Sequence, residues 1–222
     1  MQRLYNATPL QCNVSTMQRL YHATMFNQPL LTDKIIALRR FHPRDVDALY
    51  AAARESLDDL IPWMTWAHPA YSRKDVAEYV RIVGESRDVA MQRLYYAFAI
   101  TDARDGTMLG AASLSHIHPV YHFCNLGYWI RSSRRGNGLA SRAARMAAKF
   151  GFEQLGLIRV EVVIAAGNEA SLKAAEKSGA RREGILRDRL TVRGQVHDAV
   201  MFSFVRSDFD PSTSSGQRLS PL

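Results

Sequence analysis

Apolar positions along the chain change period several times, and each change marks an element. Lys34-Ile35-Ile36-Ala37-Leu38 reads as a short strand. After Pro43, which suits a first helical turn, Val46, Leu49, Tyr50 and Ala53 recur at helical spacing. A second helix is predicted from Ser72, an N-cap candidate, through Val76, Tyr79, Val80 and Val83. Between these helices, Ile61-Pro62-Trp63-Met64-Thr65-Trp66 has no period. Its two tryptophans read either as core plugs or as the apolar wall of a substrate cleft.

From Leu94 the period becomes two. Tyr96, Phe98 and Ile100 alternate, Asp105-Gly106 supplies a turn, and Met108 to His118 continues as the partner strand. A further strand spans Phe123 to Ile130. Then helical spacing returns: Leu139, Ala143, Met146, Ala147 and Phe150 make one face, with Arg142, Arg145 and Lys149 on the other, up to Gly156. Arg159 to Ala165 is a Val/Ile-rich buried strand. Asn168-Glu169-Ala170-Ser171 opens a helix that ends at Gly179. Two last strands, Arg182 to Val192 and Val196 to Val205, flank Arg193-Gly194. The pattern therefore predicts one α/β domain over residues 31–207, with about seven strands interleaved with helices. Residues 1–30 are expected to be a poorly ordered leader and residues 208–222 a polar, disordered tail.

Composition narrows the class. A hydrophobic share of 47% in 222 residues is enough to bury a core without disulfides or metal. The two cysteines, Cys12 and Cys124, have no metal-ligand company, so a reduced compartment is expected and a metal site is not. No apolar run approaches the ~18 residues of a membrane span, and the N-terminus lacks a signal-peptide pattern, so the expected location is the cytoplasm. The sequons at Asn6 and Asn13 then carry no meaning. Met1-Gln2-Arg3-Leu4-Tyr5 recurs from Met17 and from Met91, but at unequal spacings that a repeat architecture would not use. A net charge of +8 points to an anionic partner, which leaves nucleic acid, a membrane surface and a polyanionic cofactor open.

The candidate chemistry lies in Arg134-Arg135-Gly136-Asn137-Gly138-Leu139-Ala140-Ser141, between a strand and a helix. Two glycines let backbone N–H groups approach a ligand, and the helix N-terminus favours phosphate there. A dinucleotide site fails because the sixth position of G-x-G-x-x-G is Ser and the preceding run is antiparallel. A nucleotide-triphosphate loop fails because no Lys-Ser or Lys-Thr follows the glycines. From Gly106 to Phe152 there is no Asp or Glu, whereas Arg131, Arg134, Arg135, Arg142, Arg145 and Lys149 are present. That charge favours a ligand with several phosphates. Coenzyme A fits, with a pyrophosphate for the N–H groups and a ribose phosphate for an outlying cation.

Arg135-Gly136-Asn137-Gly138-Leu139-Ala140 also resembles the acetyl-CoA motif Q/R-x-x-G-x-G/A of the GNAT acetyltransferase superfamily. The likeness extends to Asn125-Leu126-Gly127-Tyr128-Trp129-Ile130, Leu157-Ile158-Arg159-Val160-Glu161, Asn168-Glu169-Ala170-Ser171, and Glu183-Gly184 to Leu186-Arg187. With Trp63 to Trp66 it resembles the RimJ/RimL branch, which acetylates N-terminal amines of ribosomal proteins. The resemblance implies a mixed, mostly antiparallel sheet flanked by helices and splayed at the acetyl-CoA site. It implies that Trp129 and Ile130 pair with the pantetheine arm and that Arg135, Gly136, Asn137, Gly138, Leu139, Ala140 and Ser141 hold the pyrophosphate. Asn168 would bind the arm, cap its helix, or both. Ser171 would protonate the departing thiolate, and Trp63 and Trp66 would face the acceptor.

The sequence departs from that pattern where a base is expected. Leu190 stands where some members carry a Glu, Ala175 where others carry a Tyr, and Ala180 where a Phe is common. Tyr128, His116, His118 and His197 remain as base or relay candidates. An α-amine of pKa about 7.7 to 8.0 is on the order of 10% neutral at pH 7, against about 0.04% for a lysine amine near 10.4, so an α-amine asks less of the enzyme. A small amine such as an aminoglycoside or polyamine is the alternative acceptor, with Glu55, Asp58 and Asp59 as a possible acidic rim. A catalytically weak acyl-CoA-binding module or an RNA-docking protein is the alternative of another class. The expected partners are acetyl-CoA and an amine, with ribosome or RNA proximity, no membrane and no metal, in a monomer or homodimer.

Overall fold

The computed structural model describes residues 30–85 and 95–210. The leader up to residue 29, the first two Met-Gln-Arg-Leu-Tyr copies, most of the third, both sequons and residues 211–222 lie outside the described residues.

The chain runs through β1 (Leu31–Thr32), β2 (Ile36–Arg39), α1 (Val46–Glu55), α2 (Leu57–Leu60), α3 (Arg73–Glu85), β3 (Tyr96–Asp102), β4 (Met108–Ser115) and β5 (Phe123–Ile130). It continues through α4 (Leu139–Gln154), β6 (Arg159–Ala165), α5 (Glu169–Ser178), β7 (Arg181–Val192) and β8 (Gln195–Val205). The strands form one sheet in the order β1-β2-β3-β4-β5-β6-β8-β7. Among the described residues there are eight strands, the seven read from the pattern and the two-residue β1, which pairs with β2 through Leu31↔Leu38 and Thr32↔Ala37 and is too short to show a period. The expected domain end at 207 falls inside a 3-10 turn, Arg206–Phe209, whose Phe209 packs against Phe152 and Phe204 and under the Arg145 guanidinium. Of the described helices, none is long and apolar enough to cross a membrane.

Only β5 and β6 pair in parallel; the other neighbours are antiparallel. Helix α4, which connects them, buries Ala143, Ala144, Ala147, Ala148 and Gly151. Small side chains let it lie close on the sheet. A Cβ on Gly151 would sit 3.1 Å from Leu157 and 3.3 Å from Val160, so the approach has no slack. Helices α1 and α3 cover the opposite face, where Leu49, Val76, Val80 and Ala111 make a second core cluster.

At the far end of β6, Arg159 pairs with Glu161 and Glu183, and Ser203 Oγ donates to Glu183 at 2.6 Å. The guanidinium holds the Glu183 carboxyl well below its ordinary 4.5, at about 2. Arg131 does the same for Glu55, also at about 2. Both groups therefore stabilise the fold fully above pH 4.5, and that contribution is lost as pH falls towards about 2. Thermal melts across pH should show a flat midpoint above that window and a decline inside it. Glu183→Gln should lower the plateau and shrink the decline.

Candidate active site

Strands β5 and β6 part company early. Their ladder covers Phe123↔Arg159, Cys124↔Val160 and Asn125↔Glu161 only, although β5 runs on to Ile130 and β6 to Ala165. Beyond Asn125, the β6-facing backbone of β5 has no strand to bond. The helices that follow the two strands, α4 and α5, start on either side of this opening, at the carboxyl ends of a parallel pair where ligands bind in open sheets. A cavity of about 380 Å³ fills it.

The glycine loop forms one wall. Gly136 and Gly138 have φ of 78° and 70°, which side chains with a Cβ rarely adopt, and Gly138 begins α4 without a side-chain cap. The first backbone bond at this end runs from Arg142 N–H to Gly138 O at 3.1 Å. The N–H groups of Leu139, Ala140 and Ser141 thus have no acceptor among the described residues, and they line the cavity. Asn137 does not line it. Its amide instead braces the loop by donating to the carbonyls of Arg134 (3.2 Å) and Arg135 (3.1 Å).

The loop is free of acids in sequence but not in space. Glu55 binds the Arg131 guanidinium and accepts from Ser133 N–H at 2.8 Å. Asp59 takes Arg135 and the Ser132 hydroxyl, and Ser56 Oγ accepts from Ser132 N–H at 3.0 Å. The junction of α1 and α2 therefore holds the loop. Of the three carboxylates considered as an acidic rim for a polycation, Glu55 and Asp59 are neutralised by arginines, and Asp58 is exposed and does not line the cavity. Conversely, Lys173 and Lys177 line the cavity from α5 beside Arg134, with no ion pair among the described residues. Sequence reasoning passed over these lysines, since on an amphipathic helix they look like a solvated face.

On the other wall, Asn168 Oδ1 accepts from Ser171 N–H at 3.2 Å and so caps α5. Both residues line the cavity. The Ser171 carbonyl receives the Tyr128 hydroxyl at 3.3 Å. Burial pushes that hydroxyl upward in pKa, so Tyr128 is a neutral donor and not a phenolate base. Trp129, Ile130, Arg135 and Trp63 complete the predicted residues that the structure brings together here.

The three histidine candidates line neither this cavity nor the second one, on the other face of β5, although His68 lines that second cavity. His116 sits on the turn after β4 with Nδ1 3.1 Å from Ser115 Oγ, and Ser115 pairs with Asn125, whereas the cavity lies at the Trp129–Ile130 end. Four strand residues span ~13 Å, so His116 stands on a turn remote from this cavity, too far for the relay considered for it. His118 is stacked between Tyr121 and Phe123, with Nδ1 accepting the Tyr121 N–H at 3.1 Å. His197 packs on the Trp63 edge, ring centroids 6.4 Å apart. Ala175 is fully buried, and Leu190 faces His197 across the β7–β8 hairpin.

A second cavity, of about 500 Å³, opens on the other face of β5. Met64, Tyr128 and Trp129 line both cavities, so the two meet there. Trp66 belongs to the second, with its ring 5.1 Å from Tyr71 and 5.9 Å from Trp129. Arg193, at the hairpin tip, fastens the segment that carries Trp63, Met64 and Trp66: its guanidinium donates to Ile61 O at 3.3 Å and to Ala67 O. Arg193→Ala should lower the thermal midpoint by a few degrees, the loss of about one hydrogen bond's net worth. Scanning calorimetry would check this.

Comparison with known proteins bears on this geometry. Residues 36–181 match the family model described as "Acetyltransferase (GNAT) domain". The chain is 28% identical over 180 residues to the Bacillus subtilis protein named "Putative ribosomal N-acetyltransferase YdaF", covering 79% of this chain and 93% of that one. It is 23% identical over 192 residues to the ribosomal protein uS5-alanine N-acetyltransferase of Escherichia coli, covering 86% of this chain and 97% of the other. Among solved structures it is similar to Mycobacterium smegmatis RimJ in complex with CoA-disulfide, with a TM-score of 0.68 and 25% identity over 82% of this chain and 87% of that chain.

Proposed function

The chain belongs to the GNAT acetyltransferase family, and from that premise we propose that its acceptor is the α-amine of a protein N-terminus, of the ribosomal-protein kind. It is an acetyl-CoA-dependent N-acetyltransferase of RimJ/RimL type. The observation that carries the acceptor reading is that the two cavities share Met64, Tyr128 and Trp129, none of which offers a carboxylate or an imidazole, while Asp75 and His68 line the second cavity further along. Such a site suits an amine that is already partly neutral near pH 7, and the ribosomal names of the two relatives above point the same way.

Acetyl-CoA supplies the acetyl group as a thioester, and the residues of the first cavity fit it. The uncapped N–H groups of Leu139, Ala140 and Ser141 would hold the pyrophosphate, while Arg134, Lys173 and Lys177 offset its charge. The β6-facing backbone of β5 at Ile130 would bond the pantetheine arm, since the Trp129 carbonyl turns the other way, towards Gly110 on β4. Alignment of amine and thioester then does most of the work, since a well-placed pair reacts as one molecule. The C–N bond forms as the C–S bond breaks. The amine proton leaves to water, and the Ser171 hydroxyl passes a proton to the thiolate and regains one from water. Tyr128 steadies Ser171 through its carbonyl. Such an acceptor puts the reaction in the cytoplasm.

Incubation with acetyl-CoA and peptides, followed by thiol assay and mass-spectrometric location of the acetyl group, tests the reading. Acetyl on the peptide α-amine is expected. Acetyl found only on lysine side chains, aminoglycosides or polyamines would contradict it.

A further inference from the structure

We propose, on the reading of a protein N-terminus as acceptor, that the second cavity receives the side chain of the acceptor's first residue and selects a large apolar or aromatic one. Met64, Tyr128 and Trp129 line both cavities, so an acceptor in the second lies beside a thioester held in the first. The α-carbon is one bond from the acceptor's amine, which brings the first side chain within reach of the adjoining space. That space is about 500 Å³, within the range of pockets built for ligands larger than a methyl group.

Its depth comes from small residues on the sheet. Ala111 stands opposite Trp129, and Ser113 opposite Gly127, where a Cβ would meet nothing nearer than Ser113 Oγ at 3.6 Å. Leu49, Trp66, Tyr71 and Tyr79 close the sides. The polar groups on these walls are largely engaged with one another. One Asp75 oxygen accepts from Ser72 N–H and Oγ at 2.8 and 2.7 Å, and the Tyr79 and Tyr95 hydroxyls face each other at 3.5 Å. Among the described residues Asp75 is the one carboxylate lining the cavity, with His68 as its imidazole, too little negative charge for a polyamine. An alanine or serine side chain would leave most of the volume unfilled, whereas leucine, methionine or phenylalanine would bury apolar surface there.

The test is a peptide series identical except for a first residue of Ala, Ser, Leu, Met or Phe, assayed with the unaltered protein by thiol release. A kcat/KM at least ~10-fold higher for Leu, Met or Phe than for Ala or Ser is expected, since each methylene in such a pocket is worth about 10- to 200-fold. Equal or better turnover of the Ala and Ser peptides would overturn the inference and leave the N-terminal reading standing. Turnover of no peptide would overturn both. Gly127→Val, which places a branched side chain in the cavity, should lower kcat/KM for the Leu and Phe peptides by ~10-fold or more relative to the Ala peptide. An unchanged ratio in a folded variant would show that the side chain binds elsewhere.

Discussion

Gly110→Ala is expected to lower the thermal midpoint by on the order of 10 °C and to abolish measurable coenzyme A binding. A Cβ at this position would lie 2.1 Å from the Trp129 carbonyl oxygen and 3.0 Å from Ile130 Cα. Both are backbone atoms of the neighbouring strand, in register with Gly110 through Ile130. No rotamer change can relieve such a contact, so β4 and β5 must move apart. Overpacking usually costs about 1–3 kcal/mol, and a clash with main chain belongs at or beyond the top of that range. The displaced segment is the one that lines both cavities. Gly127→Ala, with its nearest atom at 3.6 Å, is the control and should melt near the parent temperature. Scanning calorimetry on the pair decides the matter: equal midpoints would mean that the strands do not approach this closely.

The second large effect is at Gly138, whose φ of 70° begins α4. Gly138→Val forces a branched residue into a left-handed conformation at a cost of roughly 1–3 kcal/mol, or moves the loop to escape it. Either way the N–H groups of Leu139 to Ser141 lose their aim. Coenzyme A affinity should fall about 10- to 100-fold, equivalent to roughly 1.4–2.7 kcal/mol. Gly156 has a similar φ of 67° just after α4, at its far end. Gly156→Val should therefore lose comparable stability without loss of affinity, separating strain from binding. Equal affinities for the two variants in calorimetric titration would contradict the assignment.

Much of this was legible in the sequence because local pattern and global fold agree. The alternation in Phe123 to Ile130, the loop glycines and the alanine face of α4 each specify a feature that the structure shows. What was hidden depends on distance along the chain. Glu55 and Asp59 precede Arg131 and Arg135 by more than seventy positions, so the loop looked free of acids until the helices folded beside it. His116 follows a strand that points its end away from the cavity, which no residue type reveals. Lys173 and Lys177 share helical spacing with solvent-facing residues, and only the start of α5 beside the β5–β6 opening gives them a ligand to meet. The acceptor cavity was foreshadowed by Trp66 alone, since its small-residue floor on β4 and β5 reads as ordinary strand.

The central claim is that coenzyme A lies between the starts of α4 and α5 with its pyrophosphate on the loop. Titration of ¹⁵N-labelled protein with coenzyme A, followed amide by amide, tests it most directly. The largest shifts should fall on Gly136, Gly138, Leu139, Ala140 and Ser141, with further shifts at Trp129 and Ile130 along β5. Saturable binding that leaves those amides unmoved and shifts others would contradict the account.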